Sequence, residues 1–192
     1  MPVILHDGHL HITHLAVTAG DFPGLLRAHR REFPETGTIE REAQKLIVEE
    51  FEHNATIAFV DRVMRWGRGD RNVSRVLAQG IGMTTLVADA YTEAVNNGPA
   101  SGLAVLEPID YLGIPFASKL LRFLLPDAAV ILDSVMRENL GYPESPRGYQ
   151  TLLAECRSLL DHVRDQPYPL QENGRWRICD IEAAIYAKLQ GY

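Results

Sequence analysis

The stretch Gly113-Ile114-Pro115-Phe116-Ala117-Ser118-Lys119-Leu120-Leu121-Arg122-Phe123-Leu124 opens on a turn signal and runs into an apolar segment carrying two cations. Glycine and proline in its first three positions mark a tight turn, and Ala117 to Leu125 then follow helical spacing until Pro126 opens a loop. A short helix from about Gly102 to Tyr111 precedes it, so the region reads as helix, tight hairpin, helix. The chain holds three lysines, Lys45, Lys119 and Lys188, against sixteen arginines. A lysine on this apolar helix therefore does not reflect a general use of lysine. Fourteen residues on, in Ile131-Leu132-Asp133-Ser134-Val135-Met136, Asp133 is placed to cap the next helix, which stops at Gly141.

The same punctuation organises the rest of the chain. Asp21 and Pro23 start a helix to about Phe33, and Thr38 opens one through Phe51 with Ile39, Ala43, Leu46, Ile47 and Phe51 on one side. Asn54 is placed to cap a third helix through Trp66, which Gly67 ends; Gly67-Arg68-Gly69-Asp70 is a loop. Helices are expected over Val73 to Gln79 and Thr84 to Val95, the latter closed by Asn96-Asn97-Gly98-Pro99. Ser145-Pro146 starts a helix from Arg147 to about Arg164. Pro167, Pro169, Asn173 and Gly174 make a loop, and Asp180 is placed to cap a last helix to Leu189. Strand signals are confined to the N-terminus and to Trp176 to Cys179. The expected fold class is all-α, a two-lobed helical fold in a single domain over residues 1–192, with the lobes meeting near 96–102.

Composition excludes some classes of function. No apolar stretch reaches the roughly 18 residues that span a bilayer, and the N-terminus lacks the pattern of a secretory signal, so a cytoplasmic protein with no membrane partner is expected. Cys156 and Cys179 are too few for a disulfide framework and read as buried thiols. A formal charge of −6 repels phosphate at long range, so a nucleic-acid partner requires a local basic face. Arg62, Arg65, Arg68, Arg71 and Arg75 could supply one, with Trp66 interleaved; helical spacing from Val63 reads Trp66 as core. His6, His9, His11 and His14 crowd together beside Asp7, but His9-Leu10-His11 alternates as a strand does and no cysteine joins them, so no metal site is assigned.

Lys119 and Asp133 carry the chemical reading. Apolar neighbours and the cation of Arg122 at i+3 both disfavour an ammonium, leaving an amine able to attack an electrophilic carbon. A carboxylate at a helix N-cap accepts backbone hydrogen bonds in the positive field of the terminus. There Asp133 could take a proton from the lysine or face a developing sugar cation. The plainer reading makes Asp133 a cap only and Lys119 a snorkelling side chain.

Residues from about Leu112 to Leu140 resemble the helix-hairpin-helix (HhH-GPD) DNA glycosylases, and Pro115 to Leu124 is most similar to the small bacterial 8-oxoguanine glycosylase-like proteins. The resemblance implies DNA with a modified base, in a duplex, as partner and an N-glycosylase with DNA lyase activity that needs no cofactor. It places Lys119 as nucleophile and Asp133 as its assistant. Gly113 and Ser118 would hold phosphate through the hairpin amides, and Phe123 would line the base pocket. The family's hairpin has two glycines separated by one residue; here Gly113 is followed by Ile114, Pro115 and Phe116, which alters the second backbone donor position. Two alternatives follow. One is a related enzyme acting on a modified base in RNA, a nucleotide or single-stranded DNA, in bacterial defence. The other is a noncatalytic module docking nucleic acid or protein, which would survive Lys119→Ala. The sequence identifies no protein partner.

Overall fold

Ten α-helices and a three-stranded antiparallel sheet make up the described residues of the computed structural model, which are 4–6, 8–172 and 174–192, with side chains described from residue 8 onward. The strands are β1 (Ile4–His6), β2 (His9–Ile12) and β3 (Leu15–Val17), paired in sequence order. A 3-10 turn, Ala19–Asp21, leads into α1 (Phe22–Glu32), α2 (Thr36–Val48), α3 (His53–Trp66), α4 (Val73–Leu77) and α5 (Gly80–Asn97). There follow α6 (Pro99–Leu106), α7 (Gly113–Leu124), α8 (Ser134–Leu140), α9 (Pro146–Val163) and α10 (Ile178–Gln190). The all-α expectation holds. No helix is long and apolar enough to cross a membrane among the described residues.

The chain divides into two units, one comprising the chain up to Pro34 together with Val130–Tyr192, the other Glu35–Ala129. Residues 96–102, where a break was expected, lie inside the second unit. There Gly102 brings α6 against α5: a Cβ at that position would lie 2.5 Å from the Ala90 carbonyl oxygen and 2.6 Å from the Ala94 methyl. The Asn-Gly-Pro punctuation thus marks a sharp turn between two helices of one core rather than a seam. The core of this unit is built from Ile39, Leu46, Phe59, Val63, Met64, Met83, Val87 and Leu103, each no more than 3% exposed. These residues follow the helical spacing of their segments.

In the first unit, α1 packs against α10, and the Trp176 ring meets Phe22 and Tyr168 edge-on at 6.4 and 5.5 Å. Trp176 lies in extended chain just before α10, so the expected strand from Trp176 to Cys179 does not form; its indole N–H donates to the Gln166 carbonyl at 2.9 Å instead. Asp180 is fully buried in the first turn of α10 rather than at the cap. It accepts from the backbone N–H and guanidinium of Arg177, from Arg30 at 3.3 Å and from the Tyr168 hydroxyl at 3.2 Å. A buried carboxylate is tolerated because every one of these donors compensates its lost hydration. At α3 the cap is Glu52, accepting from Ala55 N–H at 2.8 Å, where Asn54 was expected. Asp133 and Ser145 cap α8 and α9 as read, and Gly141 ends α8 in the left-handed conformation. Cys156 and Cys179 are buried thiols. Asn173 lies outside the described residues.

Two predictions follow from this packing. Gly102→Ala should destabilise the protein by about 2 kcal/mol in urea denaturation, because neither the Ala90 carbonyl nor the Ala94 methyl can retreat. Burial pushes the hydroxyls of Tyr142, Tyr149 and Tyr168 above the ordinary tyrosine value of 10.0, with Glu155 adding to the effect at Tyr142 and Asp180 at Tyr168. The folded state therefore holds protons that the unfolded state releases once the pH passes 10, and stability falls as pH rises beyond it. Alkaline melts should show Tm dropping above pH 10, with Tyr149→Phe blunting the drop.

Candidate active site

Helix α7 starts at Gly113, four residues earlier than the apolar spacing alone indicates. Pro115 occupies its first turn, where no backbone N–H is needed for the helical ladder. From Ala117 to Leu124 every residue is buried, so the helix is enclosed on all faces and both cations go with it. Lys119 is 6% exposed. Its Nζ lies 3.5 Å from the Pro115 carbonyl oxygen one turn back and 5.0 Å from the centroid of the Phe116 ring. The amine is thereby folded back toward the N-terminal turn, the direction helical side chains take.

The loop after α3 closes over this lysine. Gly67 has φ −80°, a conformation open to any residue, yet a Cβ there would fall 2.8 Å from Lys119 Cδ and 2.9 Å from Phe116 Cε1. A Cβ on Gly69 would fall 2.6 Å from both Cε1 and Cζ of Phe116. The two glycines form a wall without side chains, and only their absence lets Phe116 and Lys119 lie where they do. The residue between them, Arg68, is exposed and adopts φ +62°.

The remaining cation of α7 is handled differently. Arg122 is 1% exposed and paired with Glu40 of α2 at 2.8 Å, its guanidinium 4.6 Å from the Phe123 ring. Arg122 was expected to act on Lys119 as a bare positive neighbour; the carboxylate at its side cancels most of that field. Phe123 is fully buried, with the Trp66 ring edge-on at 4.9 Å. Ser118 is fully buried and its hydroxyl donates to the Pro115 carbonyl at 3.1 Å. Gly113 is exposed at φ +60°. The loop between α6 and α7 is clamped by Gln79, whose amide donates to the Asp110 carbonyl at 3.0 Å and accepts from the Asp110 N–H at 3.1 Å. Next to this clamp the guanidinium of Arg75 lies over the exposed Tyr111 ring at 5.0 Å.

The arginine cluster divides in two. Arg62 pairs with Glu35 and Glu42, and Arg65 with Asp61 and Asp70, so these two charges are neutralised. Arg68 and Arg71 are exposed and have no carboxylate partner among the described residues. Asp133 belongs to the other unit; its carboxylate accepts from Met136 N–H at 3.1 Å, and the side chain is half-buried. Among the described residues no three histidine, cysteine or acidic side chains converge on a common point. His9 and His11 lie on β2, while Asp7 and the His6 side chain lie outside the described residues.

Gly69→Ala should cost about 1–3 kcal/mol in urea denaturation, and Phe116→Leu in the same chain should recover part of it by removing the atoms the new methyl strikes. Glu40→Ala leaves the Arg122 guanidinium buried without its counter-ion and should cost about 3 kcal/mol. The double change Glu40→Ala with Arg122→Met should cost less than Glu40→Ala alone.

No curated protein and no solved structure matches the chain. A family model does, over residues 16–178, under the description "Putative 8-oxoguanine DNA glycosylase OGG-like protein". That span contains α7 with Lys119, the glycine loop against it, and the Asp133 cap. The chain belongs to this OGG-like glycosylase family.

Proposed function

We propose that the protein excises an oxidised purine such as 8-oxoguanine from DNA, with Lys119 as nucleophile and Asp133 as its assisting carboxylate. The observation that carries this reading is the enclosure of Lys119, a rare lysine, against Phe116 and Gly67 in a chain of the glycosylase family. The target nucleotide leaves the stack to reach the amine. Nζ forms a bond to the anomeric carbon as the bond from that carbon to the base nitrogen breaks, and the base departs with the bonding pair and a proton. Opening of the sugar ring gives a Schiff base, and loss of a proton from the adjacent carbon expels the 3′ phosphate by β-elimination. Asp133, held by the Met136 amide, takes the lysine proton or faces the developing positive charge.

The buried groups divide the labour. Phe123, buried one turn beyond Lys119, lines the base pocket, and Ser118 belongs to the hairpin turn whose amides hold phosphate. Gly113, exposed at the start of α7, supplies backbone to phosphate. Pro115 removes one donor from that turn, and the loop held by Gln79 takes up part of the load.

Base release from a duplex carrying 8-oxoguanine tests the assignment. Lys119→Ala should abolish it. Asp133→Ser keeps a capping oxygen but lacks the carboxylate, so it should fold normally and lose about 10²- to 10⁴-fold in rate. Full activity in Asp133→Ser would reduce Asp133 to a cap. Activity surviving in Lys119→Ala would remove the lysine from the chemistry. Release only from RNA or single strands would move the substrate and keep the mechanism.

A further inference from the structure

We infer that Arg68 is a phosphate-binding residue, gripping the backbone of the nucleic acid beside the nucleotide that Lys119 attacks. This rests on the lysine reading given above and deepens it. Four observations meet at this one side chain. Arg68 has φ +62°, a conformation that L-residues with long side chains rarely adopt and that glycine would take without strain. It sits between Gly67 and Gly69, the two residues whose lack of side chains lets the loop lie against Lys119 and Phe116, so its place in the sequence is fixed relative to the lysine. It is exposed and has no carboxylate partner among the described residues, whereas Arg62 and Arg65 on the preceding helix are each flanked by two acids. Finally, the protein carries a net charge of −6, so affinity for a polyanion has to come from such local, unneutralised cations.

Packing restricts positions 67 and 69 to glycine, whereas the Arg68 side chain makes no hydrogen bond or ion pair among the described residues, so nothing it contacts there offsets its strained φ. The guanidinium fork suits a phosphodiester, which it can hold through two parallel hydrogen bonds. Arg71, also exposed and without a carboxylate partner, follows three residues later and extends the basic strip along the same loop.

The test is single-turnover base release with excess protein on a duplex bearing one 8-oxoguanine, run from low to moderate salt. It compares the wild-type chain, Arg68→Gly and Arg68→Lys. Arg68→Gly relieves the backbone strain, so its Tm should equal or exceed that of the wild type. Its half-saturating protein concentration should rise on the order of tenfold. The slope of log affinity against log salt should flatten by about 0.9, one phosphate's share, while the plateau rate stays within about twofold. Arg68→Lys keeps the charge and should keep the slope. Unchanged half-saturation and slope in Arg68→Gly, or a lower plateau at unchanged half-saturation, would overturn the phosphate assignment while leaving Lys119 in place. No base release by the wild-type chain would overturn the lysine reading and this inference with it.

Discussion

Helix α7 has to place two cationic side chains inside a helix that is buried on every face, and the rest of the second unit is arranged around that constraint. Arg122 is accommodated by a carboxylate, Glu40, brought by α2. Lys119 is accommodated by a carbonyl, an aromatic face and two glycines. The difference matters chemically. A buried guanidinium with its own counter-ion is locked in one charge state and serves packing. A lysine amine can give up its proton and attack a carbon, which a guanidinium cannot.

Polar groups in the other unit follow the same economy of compensation. Asp180 is taken fully out of water and surrounded by donors from α1, from the chain before α10 and from Tyr168. Its role is architectural, tying the chain before α10 to that helix and to α1. Asp133, by contrast, is half-buried and uses one oxygen for the Met136 amide.

Much of this was legible in the sequence where the signal is local. Ser145-Pro146, Asp133, Gly67 and Gly141 mark helix ends through capping and backbone conformation, which depend on neighbouring residues. Errors arose where two polar residues competed for one terminus: Glu52 reaches the third amide of α3 better than Asn54 does, and Asp180 reciprocates from inside α10. The start of α7 was missed because Gly-Ile-Pro is a turn signal whose proline is equally acceptable in a first helical turn. The glycine wall was invisible for a deeper reason. Gly67 needs its glycine for space rather than for φ, and that space belongs to side chains some fifty residues away. Likewise, the neutralisation of Arg62 depends on Glu35 and Glu42, which lie twenty or more residues away in sequence. The lysine itself stood out by rarity, and membership of the glycosylase family gives that rarity a chemical context.

The central claim is that one amine out of three lysines does the chemistry. Borohydride reduction of the protein with an 8-oxoguanine duplex, followed by proteolysis and mass mapping of the fixed sugar adduct, tests it most directly. The account predicts the adduct on Lys119 and none on Lys45 or Lys188. An adduct on either of the other lysines or on the N-terminal amine, or base release with no adduct at all, would contradict it.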